Sequence, residues 1–316
     1  MTGVCNLSCI FHKITLKELS IKSAQLKSVL QALLVTFLWS SSFIIIKIGL
    51  KEIPPLVFAG LRYVIAFTFL LPLFLKTENV KVVKSLSKKD WIKISALGII
   101  FYSLTQGAQF LGLSLLPSVT VSLILNFTPI VVALMAILFI NEYPTVQQWA
   151  GTALFICGIV ICFIPADLSG GRIIGIIVML FGVLANAGAA VLGRDINREG
   201  RIPVLVITTI SMGIGSLLLL IPAIAVQGFP SLSLVNFLLL LWMAVINTAF
   251  AFTLWNHTLK TLSAMESSII NGTMLIQIGI LAWIFLGEEI TVKELMGMVI
   301  AATGALLVQI KKRPQS

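Results

Sequence analysis

Long apolar runs separated by short polar stretches set the pattern of this chain. A membrane-crossing helix needs about 20 mostly apolar residues. Runs of that kind fall at 29–50, 55–75, 92–114, 119–140, 146–165, 172–193, 203–226, 234–256, 266–286 and 291–310. Helix-stopping residues mark several limits: Pro54-Pro55, Pro117, Pro144, Pro165 with Gly170-Gly171, Pro203 and Pro230. The pattern predicts an all-α integral membrane protein of ten transmembrane helices with short connections.

A second periodicity lies above the first. Shifting the chain by 146 residues brings Glu142 onto Glu288, Thr145 onto Thr291, Val146 onto Val292, Gly151 onto Gly297 and Gly158 onto Gly304. Ser122 falls on Ser268 in the same register. Such a register marks an internal duplication. Five spans per half is an odd number, so the second half enters the membrane upside down relative to the first. Inverted repeats place a substrate site near the midplane, where the halves meet.

Composition agrees with the membrane class. Of 316 residues, 58% are hydrophobic and 11% charged, against about 25% charged in soluble domains. The net charge of +10 would suit nucleic acid, but its distribution points elsewhere. With the N-terminus inside, seventeen Lys and Arg fall on inner segments and three (Lys51, Arg172, Lys293) on outer loops. That asymmetry follows the positive-inside rule and sets both termini in the cytoplasm. The expected organisation is a cytoplasmic extension at 1–28, a first repeat at 29–165, a second at 172–310, and a basic tail at 311–316. Lys17, Glu18, Lys22 and Lys27 interrupt any signal-peptide core in the extension. Cys5, Cys9 and His12 lack a nearby fourth ligand for a closed metal site, and Cys157 and Cys162 read as small core residues. No metal or cofactor is expected.

Particular residues resemble a known family. Trp39-Ser40-Ser41-Ser42-Phe43, Lys47, Pro54-Pro55 and Arg62 resemble the opening of EamA-type proteins of the drug/metabolite transporter superfamily. Pro129 through Glu142, then Gln148, Gly151 and Gly158, resemble the end of the EamA domain, and Gly287-Glu288, Gly297 and Gly304 repeat it. Ser40 and Asn141 stand where the family usually has glycine, and Leu275 stands opposite Pro129. The resemblance covers nearly all of 29–310. It implies transport of amino acids, nucleosides or other metabolites.

Polar residues inside the spans are the candidate site. Tyr102, Gln106 and Gln109 share one helix face at i, i+4 and i+7; their repeat equivalents are Thr248, Phe252 and Trp255. A polar side chain facing lipid is costly, so Gln106 and Gln109 should point inward. Ser40 adjoins Trp39 on the first span, and the 146-residue shift pairs it with Asn186. Arg62 lies about 10 Å into the second span at about 1.5 Å per residue; facing the cavity, it would attract a carboxylate or phosphate. Asn126 precedes Pro129, where the helix ladder opens, and Asn271 and Gln277 give the ninth span similar polar points. Lys47 reads as a snorkelling lysine and His257 as an interfacial histidine. Glu142 and Glu288 lie in tight turns, with a capping or loop-closing role.

None of the twelve Asp and Glu lies deep in a span. Proton-coupled export of cations usually needs a membrane carboxylate, so a neutral, zwitterionic or anionic cargo is expected. The leading function is a carrier in the cell membrane that exports an amino acid or related metabolite. Nucleoside or nucleobase export and organic-anion export are the alternatives. An enzyme would need clustered acid–base or metal residues, and two histidines far apart do not supply them. Expected partners are a small-molecule substrate and the lipid bilayer, with no nucleic acid; a homodimer is left open.

Overall fold

A computed structural model of the protein describes residues 4–116, 121, 124–163, 173–286 and 291–309. Every element among them is helical. They are α1 (Val4–Gly49), α2 (Pro55–Phe74), α3 (Thr77–Ser85), α4 (Lys88–Leu97) and, after a π-helical segment π1 (Gly98–Thr105), α5 (Gln106–Leu115). Then come α6 (Thr128–Ile140), α7 (Val146–Phe163), α8 (Ile173–Arg198), α9 (Val204–Gln227) and α10 (Leu234–Ala244). A second π segment, π2 (Val245–Phe250), leads into α11 (Ala251–Thr258), α12 (Ala264–Gly272), α13 (Met274–Leu286) and α14 (Val292–Gln309). Among the described residues, seven helices are long and apolar enough to cross a membrane, and two shorter apolar helices accompany them. Helices satisfy their own backbone hydrogen bonds, which is why they can stand in lipid. Their outer faces are apolar: Leu138 is 75% and Phe139 72% exposed.

The elements repeat as the sequence does. α6 and α13 begin at Thr128 and Met274 and end at Ile140 and Leu286, both 146 residues apart. α7 and α14 keep the same spacing at both ends, and π2 falls within the positions that the shift assigns to π1. Ser87 caps α4 and Ser233 caps α10, each accepting the backbone N–H three residues on. In the first two helices of each half the spacing is different. α1 and α8 end at Gly49 and Arg198, and α2 and α9 begin at Pro55 and Val204, both 149 residues apart. The element ends therefore pair Ser40 with Ala189 and Asn186 with Phe37, correcting the 146-residue pairing of Ser40 with Asn186. α1 runs unbroken through the predicted boundary at residue 28, with its membrane-length stretch at Ala24–Ile46.

Each half is held largely through the other. α7 and α14 cross where glycines let the backbones meet: a Cβ on Gly151 would lie 2.8 Å from Gly304 O, and one on Gly158 would lie 2.5 Å from Gly297 O. Small residues permit this approach in membrane helices. The register is reciprocal and antiparallel, since Gly151 meets Gly304 while Gly158 meets Gly297. α1 packs on α11 and α13 of the second half, and α8 packs on α5 and α6 of the first. Polar ties follow the same exchange. Asn236 near the start of α10 donates to Glu52 of the first half, and Arg201 of the second half donates to Asp90 at the start of α4 (3.2 Å).

Candidate functional site

The two halves enclose a central cavity. It holds about 90 Å3 for the centres of water-sized molecules, several times the roughly 10–15 Å3 that one water needs. Trp39, Arg62, Gln106, Gln109, Asn126, Asn186, Trp255 and Asn271 line it, so eight of the candidates read from sequence meet at one place. They come from α1, α2, α5, the turn before α6, α8, α11 and α12. The 146-residue register explains part of this convergence: Gln106 and Gln109 reach the cavity from the first half, and their counterparts Phe252 and Trp255 reach it from the second.

Three candidates stand outside the cavity wall. Ser40 is buried between α1 and α13, donating to Thr36 O (2.8 Å) and pairing with Gln277 Oε1 (3.0 Å). Gln277 in turn donates to Thr36 Oγ1 (2.9 Å), so these three side chains form an interhelical tie. Tyr102 is buried among the rings of Tyr63, Phe101 and Phe252, with centroids 5.1–5.6 Å away. Thr248 donates to Met243 O (2.8 Å) and accepts from Arg62 Nε (2.6 Å), one layer behind the cavity.

The π segments explain why these polar groups sit where they do. A widened turn shifts backbone carbonyls out of the α-helical ladder and is common at functional sites. In π2, Asn247 O accepts from both Trp39 Nε1 (3.1 Å) and Arg62 Nη2 (3.1 Å). The Asn247 carboxamide donates to Ser41 Oγ (3.0 Å) and Ser42 Oγ (2.8 Å), locking the Ser41-Ser42 stretch of α1 to π2. Trp39 lies 4.8 Å from Phe252 and 5.1 Å from Trp255 between ring centroids, giving one aromatic wall. Carboxamides and hydroxyls, Arg62 and aliphatic side chains such as Ile46, Leu125 and Ile278 give the rest. Ser268 Oγ and Asn271 Oδ1, both on α12, are buried with no hydrogen-bond partner among the described residues.

Sequence reading missed Ser42, Tyr63, Phe101, Thr105, Asn256 and Ser268 among the lining residues. Asn256 and Ser268 were legible as polar residues inside apolar spans; the aromatic ones carried no signal that distinguishes them from lipid-facing rings.

Glu142 occupies the turn after α6. Asn141 takes a left-handed conformation (φ 52°), and the Glu142 N–H donates to Ala136 O (3.2 Å). The Glu142 side chain accepts from Arg194 Nε (2.9 Å) and from the Ala264 backbone N–H (3.2 Å). Arg194 also donates to Leu259 O (2.7 Å) and Lys260 O (3.1 Å). Arg198 adds contacts to Asp195 (2.9 Å) and Glu142 (4.0 Å), and Asp195 pairs with Lys93. This network ties the α6–α7 turn, the end of α8 and the start of α12. It adjoins the cavity end formed by Gly193 and Leu259.

His257 is exposed at the last turn of α11. Cys157 is exposed on α7 and is not a core residue; facing lipid, a small apolar thiol carries little penalty. Glu288 with Gly287, Pro117, Ser122, the connection from Pro165 to Arg172, and the basic tail lie outside the described residues, as do the side chains of Cys5, Cys9, His12, Lys47 and Cys162.

An all-helical, membrane-crossing chain with a cavity walled by both repeated halves defines a multi-pass transport-type membrane protein. The EamA-like transporter family's sequence pattern matches twice, over residues 26–164 and 173–310. The chain belongs to that family. Among similar proteins are an uncharacterized transporter of Bacillus subtilis, 29% identical over 92% of this chain and 95% of its own length, and a probable amino-acid metabolite efflux pump of Salmonella typhimurium, 24% identical over 86% and 91%. A crystal structure 17% identical in sequence shares the fold with a TM-score of 0.72, over 90% of this chain and 96% of the other. Family and relatives are those of transporters rather than enzymes.

Proposed function

We propose that the protein is a carrier that exports a small metabolite, an amino acid or related compound, across the cell membrane by alternating access. The observation that carries this reading is the cavity walled by residues of both repeats, polar on one part and aromatic on another. Ligand sites are concave and largely apolar, with a few placed polar groups.

The reading includes ten spans in two inverted halves with both termini cytoplasmic. The antiparallel, reciprocal crossing of α7 and α14 supports the inversion, because equivalent helices run in opposite directions there. The seventeen-to-three charge asymmetry supports the orientation. In that frame the Glu142 network closes the cytoplasmic end of the cavity, and rocking of the halves opens it. No carboxylate lines the cavity among the described residues, which favours facilitated movement over proton-driven export of cations. The similar efflux pumps, named for amino-acid metabolites, support the cargo class.

Counterflow in proteoliposomes across amino acids, nucleosides and organic anions tests the reading. Saturable flux of an amino acid is expected, and Gln106→Ala and Asn186→Ala should cut it at least severalfold at unchanged membrane expression. Ser40→Ala, outside the cavity, should retain it. Saturable flux confined to nucleosides would replace the cargo class, and wild-type flux in both cavity variants would remove the central site.

A further inference from the structure

Arg62 is the single charged residue on the described cavity wall. It is 3% exposed. Its guanidinium is hydrogen-bonded through two of its three nitrogens. Nε donates to Thr248 Oγ1 (2.6 Å), and Nη2 donates to Asn247 O (3.1 Å) and Ser42 Oγ (3.4 Å). Thr248 has committed its own proton to Met243 O, and Ser42 donates to Leu38 O, so both face Arg62 as acceptors. Among the described residues Nη1 has no acceptor, and no carboxylate lies within ion-pair distance of the group.

Every hydrogen-bond acceptor of Arg62 is therefore a neutral oxygen, and the Tyr63 ring, whose centroid is 5.5 Å from Cζ, is neutral as well. These bonds orient the cation without cancelling its charge. A buried guanidinium without a counterion is costly, and removing a partner charge from a buried pair typically destabilises by several kcal/mol. A structural tie between α1, α2 and π2 would be served as well by neutral side chains. Burying a fixed cation beside empty space, with one amine left over, makes sense when the counterion arrives with the cargo.

We infer that Arg62 selects the cargo by binding its anionic group through Nη1, and that this group is a monoanion of carboxylate type. This rests on the carrier reading above and adds the chemistry that the cargo must present. Charge decides between carboxylate and phosphate monoester. One cation and no acid line the described wall, so a single carboxylate group matches the charge of Arg62 one for one. A dianionic phosphate leaves a buried negative charge with no second cation on the described wall. Arginine holds such oxyanions through directed, charge-assisted hydrogen bonds.

Matched acid and amide probes isolate the group. Purified protein is titrated with L-phenylalanine against L-phenylalaninamide, and with benzoate against benzamide and phenyl phosphate; counterflow of the same probes is measured in proteoliposomes. Wild-type protein should bind each acid at least tenfold more tightly than its amide, and benzoate more tightly than phenyl phosphate. Arg62→Gln should abolish the acid preference, while Arg62→Lys, which keeps the charge but not the fork, should retain part of it. Size-exclusion profile and thermal unfolding establish that each variant is folded. If Arg62→Gln does not fold, the wild-type acid–amide comparison and Arg62→Lys still decide. Equal binding of acid and amide by wild type, or an unchanged preference in folded Arg62→Gln, would overturn the inference. Tighter phenyl phosphate would overturn its carboxylate assignment. Equal saturable flux of acid and amide would overturn the inference but leave the carrier reading; no saturable flux of these probes or of the wider metabolite panel would remove both.

Discussion

Asn141, which stands opposite Gly287 in the 146-residue register, shows how a difference between the repeats is absorbed at one residue. It ends α6 in the left-handed region, at φ 52° and ψ 34°. Most L-residues pay about 1–2 kcal/mol there, glycine none, and asparagine little because its short side chain tolerates the conformation. That is why asparagine can stand where the second repeat has Gly287, and why the turn still delivers Glu142 to Arg194. Asn141→Val is expected to destabilise the protein by about 1–2 kcal/mol, while Asn141→Gly should match or exceed wild type. Reversible unfolding in mixed micelles measures both; equal stability of the valine variant would show that the turn does not need this conformation. Sequence alone identified the turn and its acid. It did not identify the partners, because Arg194 and Ala264 are 52 and 122 residues away.

At the scale of elements, glycine spacing was legible as a repeat but not as a contact. The register paired Gly151 with Gly297 by equivalence, whereas the fold sets Gly151 against Gly304. A side chain on Gly158 would meet the backbone of Gly297 and Ala301, which cannot step aside as a flexible side chain would. Gly158→Val should therefore separate α7 from α14, costing about 1–3 kcal/mol or more as overpacking and lowering folded yield. Gly188→Ala in α8 is the control. Its Cβ would meet only Ile100, at 3.8 Å, so it should be tolerated. Fluorescence-detected size exclusion reads the difference, and equal yields of the two variants would count against the crossing. The helix break before α6 makes a related point. Pro129 drew attention to it, yet the same break precedes α13, where Leu275 stands instead. Turn hydrogen bonds at Phe127 and Thr273 accompany both breaks, so the proline is not their sole cause.

Across the whole molecule, the Glu142 network and the cavity form one unit. Residues that line the cavity end, Gly193 and Leu259, adjoin residues tied by Arg194. Under alternating access, weakening this network should open that end more often. With native cysteines replaced, Ala190→Cys is expected to react faster with a membrane-impermeant thiol reagent supplied on the side that this end faces when Glu142→Gln is added. Unchanged or slower labelling would remove the network from the gating role. α1 packs on α11 and α13, and α8 on α5 and α6, so under alternating access each of these groups is expected to move together.

The sequence by itself determined class, repetition and the positions of most spans, because these depend on lengths and periods that local residues set. A run of apolar residues is helical in lipid whatever surrounds it. It also flagged eight cavity residues, since a polar side chain within an apolar span must find a partner or a cavity. Only the tertiary structure decided which of the two each one found. Ser40, Tyr102 and Thr248 carry the same sequence signal as Gln106 and Asn186, yet they face neighbouring helices. That choice depends on helix rotation and on the π segments, which shift carbonyls and side chains by part of a turn. Neither is encoded in any short stretch of residues; both are settled by packing between distant helices.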